Sequence, residues 1–431
     1  MGATTPSIEL INRNIVEAKK LGIVQLVAEQ SMPDDMEIHI EGRPVLNFGS
    51  CSYLSLESDP RLKAASIKAI QQFGSQFSCS RAYLSLGLYD ILEQKLEQLF
   101  GYPTIVSPTT SLGHLSNIPV LVGPKDAILL DHQVHASVQN AARIAKASGT
   151  HVELVRHNNI QFISRRIEHL KNKYAKIWYM ADGTYSMFGD FAPVKELYEL
   201  LDYYNNFYLY IDDAHSMSWT GPKGAGWVLK NGPLHPKAYL ITSLNKAFAS
   251  GGGAMVFPNE DAKELVRNCG GTLMFSGPLQ PANLGAGIAS AEIHLSEEIY
   301  EMQAQLEANI AYFTQKANEL SLPLIKRCET PIFFIGMGQP ETGYALCKRM
   351  LQQGFYTNIA VFPSVPYNNT GLRMTVTRNH KFEEIDALLE AIAINLDEVL
   401  KELGLHRRDI FKAFKMEDPS SSTERVVADS N

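Results

Sequence analysis

Short apolar runs alternate with longer amphipathic stretches through the middle of the chain. The runs are TIVS, AILLD, HVELVR, KIWYMAD, FYLYID, AYLITS and GAMVF, and each ends in a polar residue or at a loop. Strands that alternate with helices in this way are typical of crossover connections and of a mostly parallel sheet covered by helices. We therefore predict an α/β fold whose ligands bind beyond the carboxyl ends of the strands.

The segments on either side have other patterns. Apolar residues at helical spacing follow Ile8, Gly22 is a candidate end for that helix, and EIHIEGRPVLNF alternates like a hairpin around Gly42. After Pro281, one long helical pattern (AEIHLSEEIYEMQAQLEANIAYF) precedes TPIFFIGMG, GFYTNIAVF, LRMTVT and a last helix, EEIDALLEAIAINLDEVLKEL. These patterns predict an N-terminal arm and hairpin over 1–49, a large domain over 50–290, a smaller α+β domain over 291–405 and a disordered polar tail over 406–431.

Composition narrows the classes of partner. The 431 residues carry a formal net charge of −7, which provides no long-range attraction for nucleic acid or an anionic membrane. No apolar run approaches the roughly 18 residues that a membrane span needs. The cysteines contain no CxxC pair, which argues against a disulfide framework or a zinc site; they are Cys51, Cys79, Cys269, Cys328 and Cys347. We expect a cytoplasmic protein with reduced thiols and no metal.

Asp212 is the first candidate for chemistry. It ends the apolar strand FYLYID and is followed by Asp213, Ala214 and His215. A buried carboxylate is costly unless a cation needs it. The protonated ring nitrogen of pyridoxal phosphate (PLP) is such a cation, because a carboxylate there keeps the ring an electron sink. An aspartate that caps a loop, and a histidine with a purely structural role, remain the alternatives.

Lys246 is the second candidate. In AYLITSLNKAFASGGG it follows the strand end at Thr242 and Ser243 and precedes three glycines. The hydroxyls can bond a phosphate, the glycines permit close approach of the backbone, and the amine can form a Schiff base. A lysine in a loop is more often simply solvated. The prediction that Lys246 binds a cofactor therefore depends on Asp212, which also follows a strand and could contact the same cofactor.

Three further positions complete the candidate site. Gly113, in SPTTSLGHLSN, lies where a small-residue turn opens a helix and exposes backbone N–H groups to a phosphate. His135 follows the strand AILLD and could stack on an aromatic cofactor. Arg373, in GLRMTVT, offers a guanidinium that matches a substrate carboxylate. Each residue also has an ordinary structural explanation.

Taken together, the motifs resemble the α-oxoamine synthases, a family of fold-type I PLP enzymes. That family includes aminooxononanoate synthase, aminoketobutyrate ligase, aminolevulinate synthase, serine palmitoyltransferase and the α-aminoketone autoinducer synthases. The matching segments cover nearly everything between residues 45 and 400; in order they are CSYLSL, GSQFSCSRAY, SLGHLSN, HAS, GTYSMFGDFAPV, IDDAHS, TSLNKAF, FSGPLQPAN, ETPIFFIGMG and LRMTVTRNHKFEEID. The resemblance implies a large domain built on a sheet of the seven-stranded type.

The same resemblance implies a role for each matched residue. Lys246, His215 and His135 would be catalytic, with Lys246 bonding the cofactor and Asp212 contacting its pyridine nitrogen. His135 would stack on the ring, and His215 and Ser186 would lie near its phenolic oxygen. The phosphate would be bound by the backbone amides of Gly113 and His114, by the hydroxyl of Ser243, and by Ser276 of a second subunit. Arg373 would hold the carboxylate of the amino acid, near Ser52.

The implied reaction joins an amino acid to an acyl thioester, from acyl-CoA or an acyl-carrier protein, with loss of carbon dioxide to give an α-aminoketone. Family members are homodimers with shared active sites, so a homodimer is expected. Four positions depart from the family pattern: Ser52 replaces an asparagine, Tyr89 a histidine, Asp213 a glutamate and Phe188 an acid. These departures leave the substrates open.

Two rival hypotheses stay open from sequence. An aminotransferase or lyase on the same fold would keep Lys246 and Asp212 but need no thioester. A catalytically silent partner of an active paralogue would typically lack the lysine, and Lys246 is present.

Overall fold

The computed structural model describes residues 6–32, 36–326 and 329–417. The chain divides into two compact units. The large unit comprises Leu54–Ser186 and Phe191–Ala304, and the small unit comprises the described residues of Met1–Tyr53, Met187–Asp190 and Gln305–Asn431. The N-terminal arm and the C-terminal region therefore belong to one unit, where the sequence suggested separate segments at 1–49 and 291–405.

The elements are as follows. The strands are β1 (Ala28–Met32), β2 (Glu37–Ile40), β3 (Arg43–Asn47), β4 (Thr104–Ser107), β5 (Ala127–Asp131), β6 (His151–Val155), β7 (Ile177–Asp182), β8 (Phe207–Asp212), β9 (Ala238–Ser243), β10 (Gly253–Val256), β11 (Ile332–Gly338), β12 (Phe355–Tyr356), β13 (Asn358–Ala360) and β14 (Thr370–Thr375). The helices are α1 (Pro6–Lys20), α2 (Pro60–Phe73), α3 (Gly87–Phe100), α4 (Thr110–Leu121), α5 (Ala136–Ala147), α6 (Ile160–Leu170), α7 (Val194–Tyr203), α8 (Trp227–Lys230), α9 (Glu260–Cys269), α10 (Gly271–Met274), α11 (Pro281–His294), α12 (Glu298–Glu319), α13 (Pro340–Gln352), α14 (Phe382–Glu402) and α15 (Arg407–Ala413).

The large unit is built on a seven-stranded sheet in the order β4-β10-β9-β8-β7-β5-β6. All neighbouring pairs are parallel except the two that involve β10. Each of the seven apolar runs forms one of these strands. The prediction of an α/β fold with a mostly parallel, seven-stranded sheet is confirmed.

The two faces of this sheet bury separate apolar layers. Neighbouring residues of a strand point to opposite faces, so Tyr179 packs in one layer and Trp178 in the other, as do Leu129 and Ile128 of β5. Because helices cover both faces, the central strands are apolar almost without interruption. Polar side chains are thereby confined to the strand ends.

The small unit contains two sheets. One has the order β1-β2-β3-β12 and the other the order β11-β14-β13. The predicted hairpin is present as the antiparallel pair β2 and β3, with Gly42 at a φ of 71° in the turn. The N-terminal helix is also present as α1, and Gly22 follows its end at a φ of 68°.

Three sequence expectations need correction. The long helical pattern after Pro281 forms two helices, α11 and α12, because the chain turns at Ser296, whose hydroxyl donates to the carbonyl of Ile293 at 2.7 Å. GFYTNIAVF forms two short strands, β12 and β13, in different sheets. The segment predicted as a tail from 406 begins with helix α15, because Ile410 and Phe411 are apolar and become buried.

The rest of that tail, residues 418–431, lies outside the described residues, as does Cys328. The other four cysteines, Cys51, Cys79, Cys269 and Cys347, are free thiols. Within the described ranges, no helix combines the length and the apolar character that crossing a membrane requires.

Candidate active site

A cavity lies in the large unit, at the carboxyl edge of the sheet. Its lining residues come from the start of α4, from the ends of β7 and β8, and from the segments that follow β5 and β9; they are Thr110, Ser111, His135, Ser137, Asp182, Thr184, Asp212, Ala214, His215 and Lys246. Four residues predicted from sequence, Lys246, Asp212, His135 and His215, thus meet in one cavity.

Lys246 lies half-buried on the loop between β9 and β10. The loop is closed at its base by backbone hydrogen bonds between Leu244 and Gly252 (3.0 Å) and between Ser250 and Leu244 (2.9 Å). The side chain of Asn245 also accepts a bond from the Gly252 amide at 2.8 Å. Gly252 has a φ of 101°, which a side chain would strain. The glycine run therefore shapes the loop that carries the lysine.

Asp212 ends β8 and is 4% exposed. Its Oδ2 lies 2.9 Å from Nε2 of His114, and its Oδ1 accepts the amide of Ala214 at 3.1 Å. Burial by itself would raise the pKa of this carboxyl, but the hydrogen bond and charge of His114, with a contribution from Lys246, outweigh it and bring the pKa to about 2. Asp212 is consequently a buried carboxylate that stays ionised.

His114 enters the site through its side chain. The residue is fully buried on α4, and its Nδ1 lies 2.9 Å from the hydroxyl of Tyr210. Asn117, one turn further along α4, donates to the same hydroxyl at 3.4 Å. A chain of polar side chains thus runs from Asn117 through Tyr210 and His114 to Asp212, inside the apolar large unit.

Asp182 is a site residue that the sequence interpretation missed. It ends β7, is 3% exposed and accepts the backbone amide of His135 at 3.1 Å. Burial and the neighbouring charge of Asp212 raise its pKa well above the usual range. The signal was available, because KIWYMAD ends in an aspartate as FYLYID does.

His135 caps the start of α5 and faces the cavity. Its Nδ1 accepts the amide of Ser137 at 3.3 Å and lies 2.6 Å from the hydroxyl of the same residue. Burial lowers the pKa of the imidazole. With Nδ1 used as an acceptor, the ring is neutral and carries its proton on Nε2.

The prediction that the amides of Gly113 and His114 face a phosphate is wrong. Helix α4 begins at Thr110, and the Gly113 amide donates to the carbonyl of Thr109 at 2.9 Å within the helical ladder. The amides outside that ladder belong to the first turn, where Thr110 and Ser111 line the cavity. A Cβ on Gly113 would lie 2.6 Å from Cδ1 of Ile241, so this glycine serves close packing on the sheet.

Two of the three predicted serines, Ser243 and Ser276, form hydrogen bonds with residues of their own segments. The hydroxyl of Ser243 accepts the amide of Asn245 at 3.2 Å, and that of Ser276 donates to the carbonyl of Thr272 at 2.5 Å. Ser186 is half-buried after β7, and Thr184 of the same loop lines the cavity. The predicted roles of these serines remain predictions.

Two predicted substrate residues belong to the small unit. Arg373 lies in β14, is 6% exposed and has its Nη2 3.9 Å from Sγ of Cys51. The amide of Ser52 donates to the hydroxyl of Ser50 at 3.0 Å. Phe188, one of the departures from the family pattern, packs its ring 4.8 Å from that of Phe334 in the same unit.

The other two departures are buried in the large unit. The hydroxyl of Tyr89 accepts the amide of Leu279 at 2.7 Å, and the guanidinium of Arg81 lies 3.6 Å from the centre of its ring. Asp213 accepts the amide of Val228 at 3.1 Å, and burial raises its pKa to about 7. Added Cβ atoms on Gly183 and Gly226 would approach the Asp213 carboxyl to 2.0 and 2.4 Å, so both positions need glycine.

The cavity has the groups that PLP requires. It offers an amine on Lys246, a carboxylate held ionised at Asp212, a neutral imidazole at His135 and the first turn of a helix at Thr110 and Ser111. Helix starts bind phosphate groups through backbone amides and the helix dipole. An ionised carboxylate deep in a cavity suits a protonated ring nitrogen.

Comparisons with a family model, with characterised sequences and with solved structures all point to the same family. Residues 43–392 match the family model described as aminotransferase class I and II. An 8-amino-7-oxononanoate synthase of Symbiobacterium thermophilum is 31% identical over 389 residues, which cover 90% of this chain and 96% of that protein. A serine palmitoyltransferase of Sphingobacterium spiritivorum is 31% identical over 88% of this chain and 93% of its own length. The solved serine palmitoyltransferase of Sphingomonas wittichii superposes with a TM-score of 0.83 at 23% identity, covering 91% of this chain and 97% of that one.

Proposed function

We propose that this chain, which belongs to the class I and II aminotransferase family and within it to the α-oxoamine synthases, is a PLP-dependent acyltransferase that condenses an amino acid with an acyl thioester. The observation that carries the proposal is the meeting of Lys246 and the ionised Asp212 in one cavity. An aminotransferase or lyase on the same fold is not favoured, because the relatives that establish the family are acyl-condensing synthases.

We assign the cofactor contacts as follows. Lys246 carries the cofactor, Asp212 faces its ring nitrogen, and His135 lies against its ring. The amides of Thr110 and Ser111 bind its phosphate, in place of those of Gly113 and His114. His215 lines the same cavity and is assigned to the phenolic oxygen, with Ser186 and Ser243 as additional polar groups.

The side chains divide the chemistry between them. When bound, PLP supplies an electron sink that stabilises negative charge at the α-carbon of the amino acid. The Lys246 amine, once released, is the base that takes the α-proton. The His135 imidazole is neutral, with its proton on Nε2, so it can donate a hydrogen bond into the cavity without adding charge. Asp212 keeps its negative charge throughout, because its pKa is far below neutrality.

Substrate recognition is assigned to the small unit. Arg373 is a buried guanidinium, and such a group pairs with a carboxylate through two parallel hydrogen bonds. We propose that Arg373 binds the carboxylate of the amino acid. Ser52 is assigned to the same carboxylate, because it follows Cys51, whose sulfur lies 3.9 Å from the Arg373 guanidinium. The acyl donor is either a CoA or a carrier-protein thioester.

The test is a coupled assay of the purified protein. A panel of amino acids is incubated with acyl-CoA and acyl-carrier-protein thioesters, and free thiol and carbon dioxide are measured together. We expect both products in equal amounts with one class of substrate pair, and their loss in Lys246→Ala. Lys195→Ala, an exposed lysine on α7, is the matched control and should keep the wild-type rate.

Two outcomes would refute the proposal. Amino-group exchange with pyruvate and no thiol release would identify an aminotransferase. A purified protein that binds no PLP, with no absorbance band near about 420 nm after PLP is added, would identify a silent partner.

We further propose a cytoplasmic homodimer with shared active sites. An exposed aromatic surface of the large unit supports it: Tyr83 is 86% exposed and Phe275 79%, and the hydroxyl of Ser80 joins their segments by a bond to the carbonyl of Met274. Apolar patches of this kind mark protein interfaces. Ser276, next to Phe275, would then reach the site of the partner.

Light scattering of Phe275→Asp tests the dimer. We expect dissociation to monomers and loss of activity, whereas Tyr203→Asp, at an equally exposed tyrosine on α7, should leave the dimer intact. A Phe275→Asp protein that stays dimeric would place the interface elsewhere.

A further inference from the structure

We propose that His114 is a positioning residue that holds the carboxylate of Asp212 ionised and oriented toward the ring nitrogen of the cofactor. The inference rests on the proposed contact between Asp212 and PLP, and it adds a residue that acts through Asp212. His114 lies on α4 and Asp212 at the end of β8, 98 positions apart in the chain.

The geometry fixes the carboxylate from both sides. Nε2 of the fully buried His114 lies 2.9 Å from Oδ2, and the Ala214 amide lies 3.1 Å from Oδ1. A carboxylate with a donor on each oxygen cannot rotate without losing a buried hydrogen bond. The bond to His114 therefore sets the direction in which Asp212 presents its remaining lone pairs.

The hydrogen-bond network also determines where the proton of His114 lies. If Asn117 donates to the hydroxyl of Tyr210, the Tyr210 proton passes to Nδ1 of His114, and the imidazole proton lies on Nε2. With the Asn117 amide turned around, its otherwise unpaired Oδ1 accepts from Tyr210, and the Tyr210 oxygen then accepts from Nδ1 of His114. The structure has Asn117 as the donor, and this arrangement places the imidazole proton on Nε2, which faces Asp212.

Asp182 shows what the site would be without this bond. Asp182 and Asp212 are register partners on β7 and β8 and are almost equally buried. Asp182 accepts a backbone amide, from His135, whereas Asp212 also receives the imidazole of His114. Burial and the charge of Asp212 raise the pKa of Asp182, whereas His114, with contributions from Lys246 and His135, outweighs the effect of burial at Asp212. The imidazole of His114 is the largest of the contributions that favour the ionised form of Asp212.

This difference matters for the cofactor. A buried carboxyl that kept its own proton would present an O–H group to the ring nitrogen, which would then be the acceptor. An ionised carboxylate leaves the proton on the ring nitrogen, where it makes the ring an electron sink. His114 thus selects which of the two atoms holds the proton.

The test reads that proton directly. PLP labelled with ¹⁵N in its ring is bound to the protein, and the ¹⁵N chemical shift is recorded at pH 7–8. We expect the shift of a protonated ring nitrogen in the wild type, and a move toward that of neutral pyridine in His114→Leu, with about tenfold weaker binding of PLP. His114→Asn, whose side chain is too short to reach Asp212, should behave like His114→Leu and serves if that variant does not fold.

Two variants control the interpretation. His294→Leu removes another fully buried histidine of the large unit, one that bonds the Ser290 carbonyl, and should leave the ¹⁵N shift unchanged. His114→Gln can still donate an N–H toward Asp212 and should retain the protonated signal. A wild-type shift in His114→Leu or His114→Asn, or a Gln variant that behaves like Leu, would overturn the assignment.

Asp212→Asn separates this inference from the proposed function. If that variant keeps the wild-type ¹⁵N shift, Asp212 does not contact the ring nitrogen and the cofactor assignment itself fails. If Asp212→Asn shifts the ¹⁵N signal and neither His114→Leu nor His114→Asn does, only the role of His114 is refuted.

Discussion

Asp182 and Asp212 lie opposite each other at the ends of adjacent parallel strands, yet their carboxyl groups titrate in opposite directions. The pKa of Asp182 is raised by burial, and that of Asp212 is lowered to about 2 by His114. At this edge of the sheet, burial and the charge of Asp212 therefore favour the protonated form of Asp182, whereas His114 favours the ionised form of Asp212. Close carboxyls often divide their protons in this way.

Amide substitution should distinguish the two acids. Asp182→Asn replaces a carboxyl whose pKa is raised by burial and by the charge of Asp212, and it keeps an oxygen for the His135 amide, so we expect the Kd for PLP to change less than about threefold. Asp212→Asn removes the charge and should weaken PLP binding at least about tenfold. Fluorescence or absorbance titration with PLP measures both. Equal effects in the two variants would contradict the division of charge.

Thr110→Pro tests the phosphate contact at the start of α4. Proline is tolerated at the first helical position, and Thr109 before it is already extended, at φ −149° and ψ 158°. The substitution removes one amide N–H without breaking the helix, so we expect weaker binding of PLP and unchanged binding of pyridoxal, which lacks the phosphate. Isothermal titration with both compounds provides the comparison. Equal losses for the two would mean that Thr110 does not serve the phosphate.

Asp213 should make stability depend on pH. Its pKa is about 7 in the folded protein and near 3.9 when unfolded, so the folded state binds more protons between those values. The free energy of unfolding therefore falls as the pH rises from about 4 to about 7 and then levels off. Asp213→Asn should flatten this part of the curve and raise the Tm at pH 8. Thermal melts from pH 5 to pH 8 test it, with the exposed Asp261→Asn as control.

Gly113→Ala should destabilise the large unit. The new methyl group would lie 2.6 Å from Cδ1 of Ile241 and 2.9 Å from the hydroxyl of Ser107. Overpacking of this kind costs about 1–3 kcal/mol, which exceeds the helical preference for alanine of up to about 1 kcal/mol. Gly87→Ala, at the start of α3 with open space around it, should be neutral or stabilising. Urea denaturation of both variants gives the difference.

Local signals in the sequence placed most of the fold. Each apolar run became a strand, because a strand buried on both faces must be continuously apolar. The polar residue that ended a run then pointed to the cavity, as Asp212 did. Asp182 carried the same signal, but one ring nitrogen needs one carboxylate, so the pattern gave Asp182 no role.

The sequence predictions differ from the structure mainly where contacts between distant parts of the chain determine the local structure. The phosphate contact was predicted at Gly113 and His114 rather than in the first turn of α4, although Thr109 has the side chain of a helix cap and accepts the Leu112 amide at 3.1 Å. The bond between His114 and Asp212 joins positions 98 residues apart and follows no local pattern. Helix α15 was taken for tail because Ile410 and Phe411 stand among charged residues, and their burial depends on the unit that receives them.

The single reversed strand of the large sheet has a consequence for Lys246. A parallel neighbour would need a crossover of a dozen or more residues after β9, but antiparallel β10 lets the chain return through the nine residues 244–252, with Gly253 opposite Ser243. Lys246 therefore lies on a short loop whose two ends are paired, adjacent strands. Because backbone hydrogen bonds close this loop at its base, the two roles proposed for the amine, cofactor anchor and proton acceptor, would be two rotamers of one side chain.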